Sequence, residues 1–326
     1  MKDFRDNTER NQVIVSFIIP TLNVEEYLPQ CLGAIQRQAT SEGKLEIIVV
    51  DNGSTDKSIQ YAQEYGATVY SAPGKTVAAV RNIGAAHSRG LFLAFVDADC
   101  VIGDQWLENG LKHFNDPQVS AAGAPTTITE NATWVGRYWF LNNQGKRGKK
   151  KTAWLPSANM IVRSSAFDEI GGFNEALITC EDSDIGYRLS YKYIIISDPL
   201  IVSIHLREPK TVRQFYEKEK WRGQGNFQGL LAHGIVWDDV PSLLFPLYYL
   251  LVFLLTPFLV GWSLLSKGMG PAAVSILLIL GPIVLLSLQT TIRHRRWKAF
   301  FPLCLLYLAY ALARARAILP RRNTVI

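Results

Sequence analysis

Two aspartates directly after an apolar stretch give the clearest chemical signal in this chain. The stretch LFLAFV stops at Asp97, Ala98 and Asp99. Such a stretch, with Phe and Val, is typical of a buried strand of a parallel sheet. Ligands of open α/β sheets bind beyond the carboxyl ends of such strands. Two carboxylates there can hold Mg²⁺ or Mn²⁺ together with substrate phosphates, because these cations prefer oxygen ligands. The alternative for a lone pair of aspartates is a solvated loop.

Three more polar groups follow predicted strands or begin a predicted helix. Asp51 ends the stretch LEIIVVD, and His205 lies near the end of LIVSIHL. Glu181 and Asp182 open the segment EDSDIGYRLS, which has the charge pattern of a helix start. Each also has a structural alternative. Asp51 can cap a turn, the two acids can stabilise a helix dipole, and an isolated histidine is more often a core residue than a ligand.

The elements that must position these residues alternate between strand and helix in the first hundred residues. The expected strands lie at 13–20, 45–51, 67–72 and just before Asp97, then at 119–125, 154–162, 193–197 and 200–206. We expect Asn23 and Thr55 to cap the first two intervening helices, and a third helix to run from Thr76 to Ser88. This order predicts an α/β fold with a parallel, doubly wound sheet and right-handed crossovers.

Composition separates a soluble part from an apolar part. The chain has 326 residues and a formal net charge of +6, and all 28 acidic residues precede Val240. Much of the basic excess flanks apolar segments, in RHRRWK at 293–298 and in Arg314, Arg316, Arg321 and Arg322. Such placement favours anionic lipid as the partner. No basic motif interleaved with aromatic residues is present, so nucleic acid is not an expected partner.

Two apolar segments are long enough to span a bilayer. Residues 240–262 and 271–290 each exceed the ~20 residues required, and the short link SKGMG makes them a helical hairpin. A third apolar segment, 299–313, is shorter and could be a short span, a re-entrant element or an interfacial helix. The basic residues predict a multi-pass protein of the inner (cytoplasmic) membrane with a cytosolic catalytic domain.

Taken in order, the motifs resemble one enzyme family. They are FIIPTLN, VVDNGSTD, AAVRNIGAAHSRG, FVDADC, GGFNE and CEDSDIGYRL, followed by a histidine after the last strand. This series resembles the inverting, GT-A-type glycosyltransferases of family 2, over roughly residues 13–227. The resemblance implies a GT-A domain with a doubly wound sheet at 13–228. The polar residues before it predict a tail at 1–12, and the apolar segments after it predict a membrane region with transmembrane helices at 229–326.

The resemblance also implies a donor site for a nucleotide-diphosphate sugar. Asp51 would lie near the base and Asp97 near the ribose, with Arg81 helping to hold the donor. Asp99 would bind the donor through Mg²⁺ or Mn²⁺, with His205 as the second metal ligand. A cation at this position stabilises the leaving diphosphate without proton transfer.

The resemblance gives different roles to the two acids of the ED pair. Asp182 would be the general base that deprotonates the acceptor hydroxyl, and Glu181 would position the acceptor or the base. A base of this kind contributes about 10²–10⁴ in rate. A single displacement would invert the anomeric configuration.

The chain departs from processive polysaccharide synthases of the same family. Those enzymes carry Q-x-x-R-W, whereas this chain reads YEKEKWRGQGN, with Trp221 and Arg222 in reversed order. Two or three short spans cannot enclose a polymer channel. The sequence therefore predicts addition of one sugar to a lipid-linked acceptor or another cell-envelope glycan, as a step in envelope polysaccharide biosynthesis.

Two other function classes remain open from the residues. Haloacid-dehalogenase-like phosphoryl-transfer enzymes also place D-x-D after a strand, but early in the fold, whereas here it follows the fourth strand. A catalytically inactive membrane scaffold could also keep a transferase-like fold. The presence of every candidate catalytic carboxylate argues against such a scaffold.

Overall fold

A computed structural model describes residues 13–38, 44–143, 148–225, 228–229 and 240–319. The chain divides into two compact units. One consists of residues 1–129 and 146–207, and the other of 130–145 and 208–326. The predicted tail at 1–12 and the basic residues Arg321 and Arg322 lie outside the described residues. The predicted boundary between the GT-A domain and the membrane region, after residue 228, stays a prediction.

The first unit is built on strands that begin and end close to the predicted apolar stretches. They are β1 (Val13–Thr21), β2 (Lys44–Asp51), β3 (Thr68–Ser71), β4 (Phe92–Val96), β5 (Cys100–Ile102), β6 (Val119–Gly123), β7 (Thr127–Ile128), β8 (Lys150–Thr152), β9 (Asn159–Arg163), β10 (Ile194–Ser197) and β11 (Ser203–His205). The main sheet has the order β3-β2-β1-β4-β9-β6-β10-β8, and a small second sheet has the order β5-β11-β7. Phe17, Ile18 and Ile19 in β1 are fully buried, as expected for a strand covered on both faces.

The sheet is mixed rather than parallel throughout. Strands β1 to β4 pair in parallel, as predicted. Strand β9 instead runs antiparallel to both of its neighbours, β4 and β6. Strand β9 therefore starts at the edge of the sheet where β4 and β6 end. The strand is also shorter than the predicted 154–162.

The helices of this unit are α1 (Leu28–Gln36), α2 (Ser58–Glu64), α3 (Val77–Ala86), α4 (Trp106–Leu111), α6 (Ser164–Glu169) and α7 (Glu181–Ser190), while α5 (Trp134–Trp139) and α8 (Val212–Arg222) belong to the second unit. Helix α3 lies within the predicted 76–88, and Thr76 caps it, because its hydroxyl accepts the Ala79 N–H.

Two predicted helix caps are wrong. Asn23 precedes α1 by several residues and has a positive φ of 49°. Its side chain accepts the Thr55 N–H at 2.9 Å, which joins the loop after β1 to the loop after β2. Thr55 is therefore a partner of Asn23, and α2 begins only after Lys57.

Among the described residues of the second unit, three helices are long and apolar enough to cross a membrane, at Val240–Leu265, Gly270–His294 and Trp297–Ile318. We call them the first, second and third apolar helices. The first two match the predicted hairpin. The third is longer than the predicted 299–313, because its α-helical part continues through Arg314 and Arg316 to Ile318.

Candidate active site

Asp51 ends β2 at the carboxyl edge of the main sheet, which is the edge where the parallel strands end. Its carboxylate is almost completely buried, and Oδ2 accepts the N–H groups of Gly53 and Ser54, both at 2.9 Å. The other oxygen, Oδ1, is buried without a hydrogen-bond partner among the described residues. A buried carboxylate oxygen of this kind calls for an N–H or O–H donor from a ligand.

Arg81 connects the D-x-D turn to the start of α7. This α3 side chain is only 3 % exposed. One terminal nitrogen donates to Asp97 Oδ1 at 2.7 Å, and the other donates to Glu181 Oε1 at 2.8 Å. Charge-assisted bonds in a buried setting fix geometry strongly. The Arg81 guanidinium therefore sets the position of Asp97 relative to Glu181.

Asp99 and His205 lie side by side on the small sheet. Strand β11 pairs antiparallel with β5, and the Leu206 N–H donates to the Asp99 carbonyl at 2.8 Å. This pairing brings His205 Nε2 to 3.6 Å from Asp99 Oδ1, with each side chain 16 % exposed.

The pair formed by Asp99 and His205 suits a cation that is shared with a substrate. Within the described residues no three His, Cys, Asp or Glu side chains form a complete metal cage. Mg²⁺ usually takes only one or two carboxylates plus substrate phosphates and water, and imidazole is an accepted ligand for related divalent metals. The donor set therefore fits a cation completed by a diphosphate.

Asp182 lies in the first turn of α7, next to Glu181. Burial, and secondarily the negative charge of Glu181, raise the pKa of the Asp182 carboxyl to about 7. The Ser183 N–H and the charge of Arg81 act in the opposite direction but do not cancel the rise. A partly buried carboxyl with a pKa near neutrality can accept a proton efficiently at physiological pH.

The third acid of the same turn has a structural role. Asp184 is buried and accepts two bonds from Arg188, at 2.9 and 2.5 Å. This i,i+4 ion pair lies within α7 and holds no group toward the ligand edge. Of the three acids in EDSD, only Glu181 and Asp182 are thus available to the site.

The sequence analysis missed the support beneath Arg81. The Arg81 guanidinium lies over the Phe173 ring, 5.7 Å from its centroid. Asn82 holds that turn by donating to the Phe173 carbonyl and accepting the Phe173 N–H, both at 2.9 Å. Gly172 has a φ of +70°, and a Cβ there would approach Asn82 Oδ1 to 2.8 Å. The GGFNE motif was visible in the sequence, but no neighbouring residue indicated that it would contact Arg81 and Asn82.

The structure brings the predicted residues together in two groups. Arg81, Asp97 and Glu181 are joined by direct bonds, with Asp182 adjoining Glu181, and Asp99 lies beside His205. Asp51 lies at a separate strand end, since β1 separates β2 from β4.

Comparison with known proteins identifies the domain. Residues 16–171 match the family model for glycosyl transferase family 2. Residues 16–171 are a family 2 glycosyltransferase domain. The matched residues of this domain include Asp51, Arg81, Asp97 and Asp99, whereas the ED pair and His205 follow them.

Named relatives of this chain include glycosyltransferases. Glycosyltransferase AglE of Haloferax volcanii is 32% identical over 199 residues, which cover 56% of this chain and 65% of AglE. The pre-mycofactocin glycosyltransferase of Mycobacterium tuberculosis is 33% identical over 169 residues, covering 48% of this chain and 36% of the relative. The chain thus spans less than two thirds of the length of either relative.

Solved structures share the fold. The mannosyltransferase PcManGT from Pyrobaculum calidifontis, solved with GDP-Man and Mn²⁺, has a TM-score of 0.59 at 17% identity, covering 93% of this chain and 86% of its own. Residues 1–349 of S. aureus TarS, solved with UDP-GlcNAc, have a TM-score of 0.50 at 17% identity, covering 93% and 90%. These likenesses confirm the predicted GT-A fold class as a mixed α/β sheet with apolar C-terminal helices.

Proposed function

We propose that this chain is a membrane-associated inverting glycosyltransferase that moves one sugar from a nucleotide-diphosphate sugar to a hydroxyl acceptor. One observation carries the proposal most directly. Buried Arg81 bonds both Asp97, in the D-x-D turn of the family 2 domain, and Glu181, next to the candidate base. A donor held by the turn and an acceptor held by the start of α7 would then meet at a fixed distance.

On the donor side, Asp51 and Asp97 would bind the nucleoside. The buried Oδ1 of Asp51 has the acceptor capacity to take an N–H from the base. Asp97 would accept from the ribose hydroxyls, which are good donors to a carboxylate. Both terminal nitrogens of Arg81 already donate to carboxylates, so we assign Arg81 to donor binding through Asp97.

Asp99 and His205 would hold a divalent cation, Mg²⁺ or Mn²⁺, together with the donor. When bound, this cation supplies positive charge to the leaving diphosphate. The 3.6 Å approach of His205 Nε2 to Asp99 Oδ1 supports a shared ligand role for the two side chains.

Asp182 would act as the general base. Its carboxylate takes the proton of the acceptor hydroxyl while that oxygen forms a bond to the anomeric carbon. The bond from the anomeric carbon to the diphosphate oxygen breaks on the opposite face, and the diphosphate leaves with the electron pair. The configuration at the anomeric carbon is therefore inverted. Glu181, fixed by Arg81, would position Asp182 and the acceptor.

The acceptor proposed is a lipid-linked sugar or another cell-envelope glycan at the inner membrane, with the catalytic domain in the cytosol. The apolar helices support a membrane location for the acceptor. Two or three such helices support addition of one sugar rather than export of a polymer. In the reversed Trp221-Arg222 pair, Arg222 donates to buried Glu219 at 2.8 Å, which supports a structural role for this arginine.

The decisive test is Asp182→Asn in the full chain. We expect transfer to fall by about 10²–10⁴, as expected for loss of a general base, while nucleotide-sugar binding is kept. Asp168→Asn, at an exposed position on α6, is the matched control and should keep full transfer. Full activity of Asp182→Asn would contradict the assignment of the base.

The same preparation separates the two other function classes. A phosphoryl-transfer enzyme would release phosphate from simple esters, and it would keep doing so without any nucleotide-sugar. An inactive scaffold would bind nucleotide-sugars but turn over none, with or without acceptor. Slow, metal-dependent hydrolysis of one nucleotide-sugar in the absence of acceptor would favour the transferase and would also identify its donor.

A further inference from the structure

The third apolar helix packs against only one end of the hairpin formed by the first two. In the first apolar helix, every fully buried side chain lies between Leu243 and Val252. In the second, apart from Ser275, the buried side chains lie between Ile283 and Thr291. These stretches are the end at which the chain enters and leaves the hairpin. The third helix, although 19 residues long, therefore leaves the far half of the hairpin uncovered.

Specific contacts place the middle of the third helix at that end. The Tyr307 hydroxyl lies 3.1 Å from Thr290 Oγ1, one turn before the second helix ends. The Tyr310 ring lies 5.4 Å from the ring of Phe245, near the start of the first helix.

A strongly charged helix covers the C-terminal half of the third helix. Phe215 of α8 packs in one cluster with Leu306 and Ala309. Farther along, Glu219 accepts a bond from Arg314 at 2.9 Å. The path of α8 thus follows the third helix from about residue 306 to Arg314.

Helix α8 cannot lie in the hydrocarbon core of a bilayer. Its sequence VRQFYEKEKWR carries six charged side chains, several of them exposed. Charged side chains are rare in membrane interiors because burying them there is costly. Since α8 lies along the C-terminal half of the third helix, that half also stays outside the hydrocarbon core. Length and apolar composition alone would count this helix as a span.

The surface that the third helix leaves exposed is a narrow, mostly apolar stripe. It consists of Phe301, Leu305 and Leu312, with exposed Arg316 at its C-terminal end, and Leu319 is exposed directly after the helix. The spacing of these residues puts them on one side of the helix. At the start of the helix Trp297 and Lys298 are exposed, as are the basic residues Arg293, Arg295 and Arg296 just before it. An apolar stripe next to an exposed Trp and a basic cluster is typical of a helix that lies at a membrane surface.

We propose that the third apolar helix lies along the membrane surface, with its apolar stripe in the acyl boundary and the basic cluster on anionic phospholipid headgroups. Only the first two apolar helices then cross the bilayer. Both ends of the third helix are on the same side as α8. This placement does not depend on the proposed transferase activity, so either proposal can fail without the other.

Single-cysteine labelling tests on which side of the membrane the C-terminal end of the third helix lies. The full chain, with its four native cysteines replaced by alanine, carries Leu319→Cys, Arg213→Cys on α8 or Met269→Cys in the hairpin link. A membrane-impermeant maleimide is applied to right-side-out and inside-out vesicles. We expect Leu319→Cys to react in the same vesicles as Arg213→Cys and in the opposite ones from Met269→Cys. Reaction of Leu319→Cys together with Met269→Cys would overturn the proposal.

Depth measurements distinguish a surface helix from a re-entrant one. A fluorophore is placed at Leu305→Cys or at Leu312→Cys, seven residues farther along the same stripe. Depth-dependent quenching is then read in vesicles of phosphatidylglycerol and phosphatidylcholine. We expect equal depths at the two positions. A difference of about 10 Å, the rise over two helical turns, would show an inserted helix and refute the proposal.

The lipid composition tests the headgroup contact. We expect the label at Leu312→Cys to lie less deeply in vesicles of phosphatidylcholine alone, and also after Arg295→Gln and Arg296→Gln in the mixed vesicles. Phe301→Ser should reduce the depth in both vesicle types, because it removes part of the apolar stripe. A label that responds to neither lipid charge nor the arginine substitutions would rule out binding to anionic headgroups.

Discussion

At the residue scale, Arg81 links the carboxylate of Asp97 to the carboxylate of Glu181. A buried guanidinium between Asp97 and Glu181 compensates two negative charges that would otherwise repel each other and the donor. Burial and, secondarily, the charge of Glu181 raise the pKa of the neighbouring Asp182. The proton affinity of Asp182 therefore depends in part on Glu181, which Arg81 holds in place.

The raised pKa of Asp182 predicts a pH profile. Because burial and Glu181 raise this pKa to about 7, Asp182 is protonated below that pH and cannot take a proton from the acceptor. We expect kcat to rise with pH through about 7. Glu181→Gln removes the neighbouring charge and should shift this acidic limb to lower pH. An acidic limb that stays in place in Glu181→Gln would show that another group controls it.

The pair formed by Asp99 and His205 predicts a metal requirement. Removing divalent metal with a chelator should abolish transfer, and Mg²⁺ or Mn²⁺ should restore it. His205→Ala should raise the metal concentration needed for half-maximal rate by about tenfold or more, since even outer-shell partners are worth about 10- to 100-fold. His87→Ala, an exposed histidine on the same unit, is the control. Equal metal dependence in both variants would exclude His205 as a ligand.

At the element scale, Asn159 holds the loops around the ligand edge. It begins β9, and its amide donates to the carbonyls of Ala124 and Ile201, both at 2.9 Å. Its oxygen accepts the indole N–H of Trp106 at 2.5 Å. One fully buried side chain thus satisfies three groups from three separate segments.

Asn159→Ala should destabilise the fold markedly. It leaves a buried indole N–H and two carbonyls without partners, and each unsatisfied buried group costs about 1–3 kcal/mol. We expect a lower denaturant midpoint of unfolding for the detergent-solubilised chain. Asn109→Ala, which removes two exposed bonds, one to the Leu200 carbonyl and one from Lys112, should change the midpoint little. Equal shifts in the two variants would contradict the role of Asn159.

The strands and helices also show which features local sequence patterns can predict and which they cannot. The apolar stretches of β1, β2 and β4 were predictable because burial on both faces demands continuous apolar residues. The direction of β9 was not predictable. It depends on the edge of the sheet at which the long segment between β6 and β9 rejoins the sheet. The side chain of Asn23 was assigned to its own helix, but it bonds Thr55, 32 residues away.

At the scale of the whole molecule, residue types were predictable and their pairing was not. Aspartates at strand ends pointed to the ligand edge from the sequence alone. The bond from Arg81 to Glu181 joins residues 100 positions apart. No periodicity encodes such a contact. The apolar strands of the first unit could be predicted from local patterns, whereas the direction of β9 and the packing of the third apolar helix within the second unit could not.

At the scale of the whole molecule, the exposed apolar side chains in the far half of the hairpin predict that the chain stays bound to membranes. Phe258, Leu264 and Leu265 are at least 75 % exposed within the chain, so a bilayer is the natural environment for them. We expect the chain to stay with membranes in high salt and in alkaline carbonate. Phe258→Arg should lower the membrane-bound fraction, because a charge near the centre of a span costs about 2.5–3.5 kcal/mol. Leu200→Arg, at an exposed position of the first unit, should not. Release of the parent chain by carbonate would show that these helices do not insert.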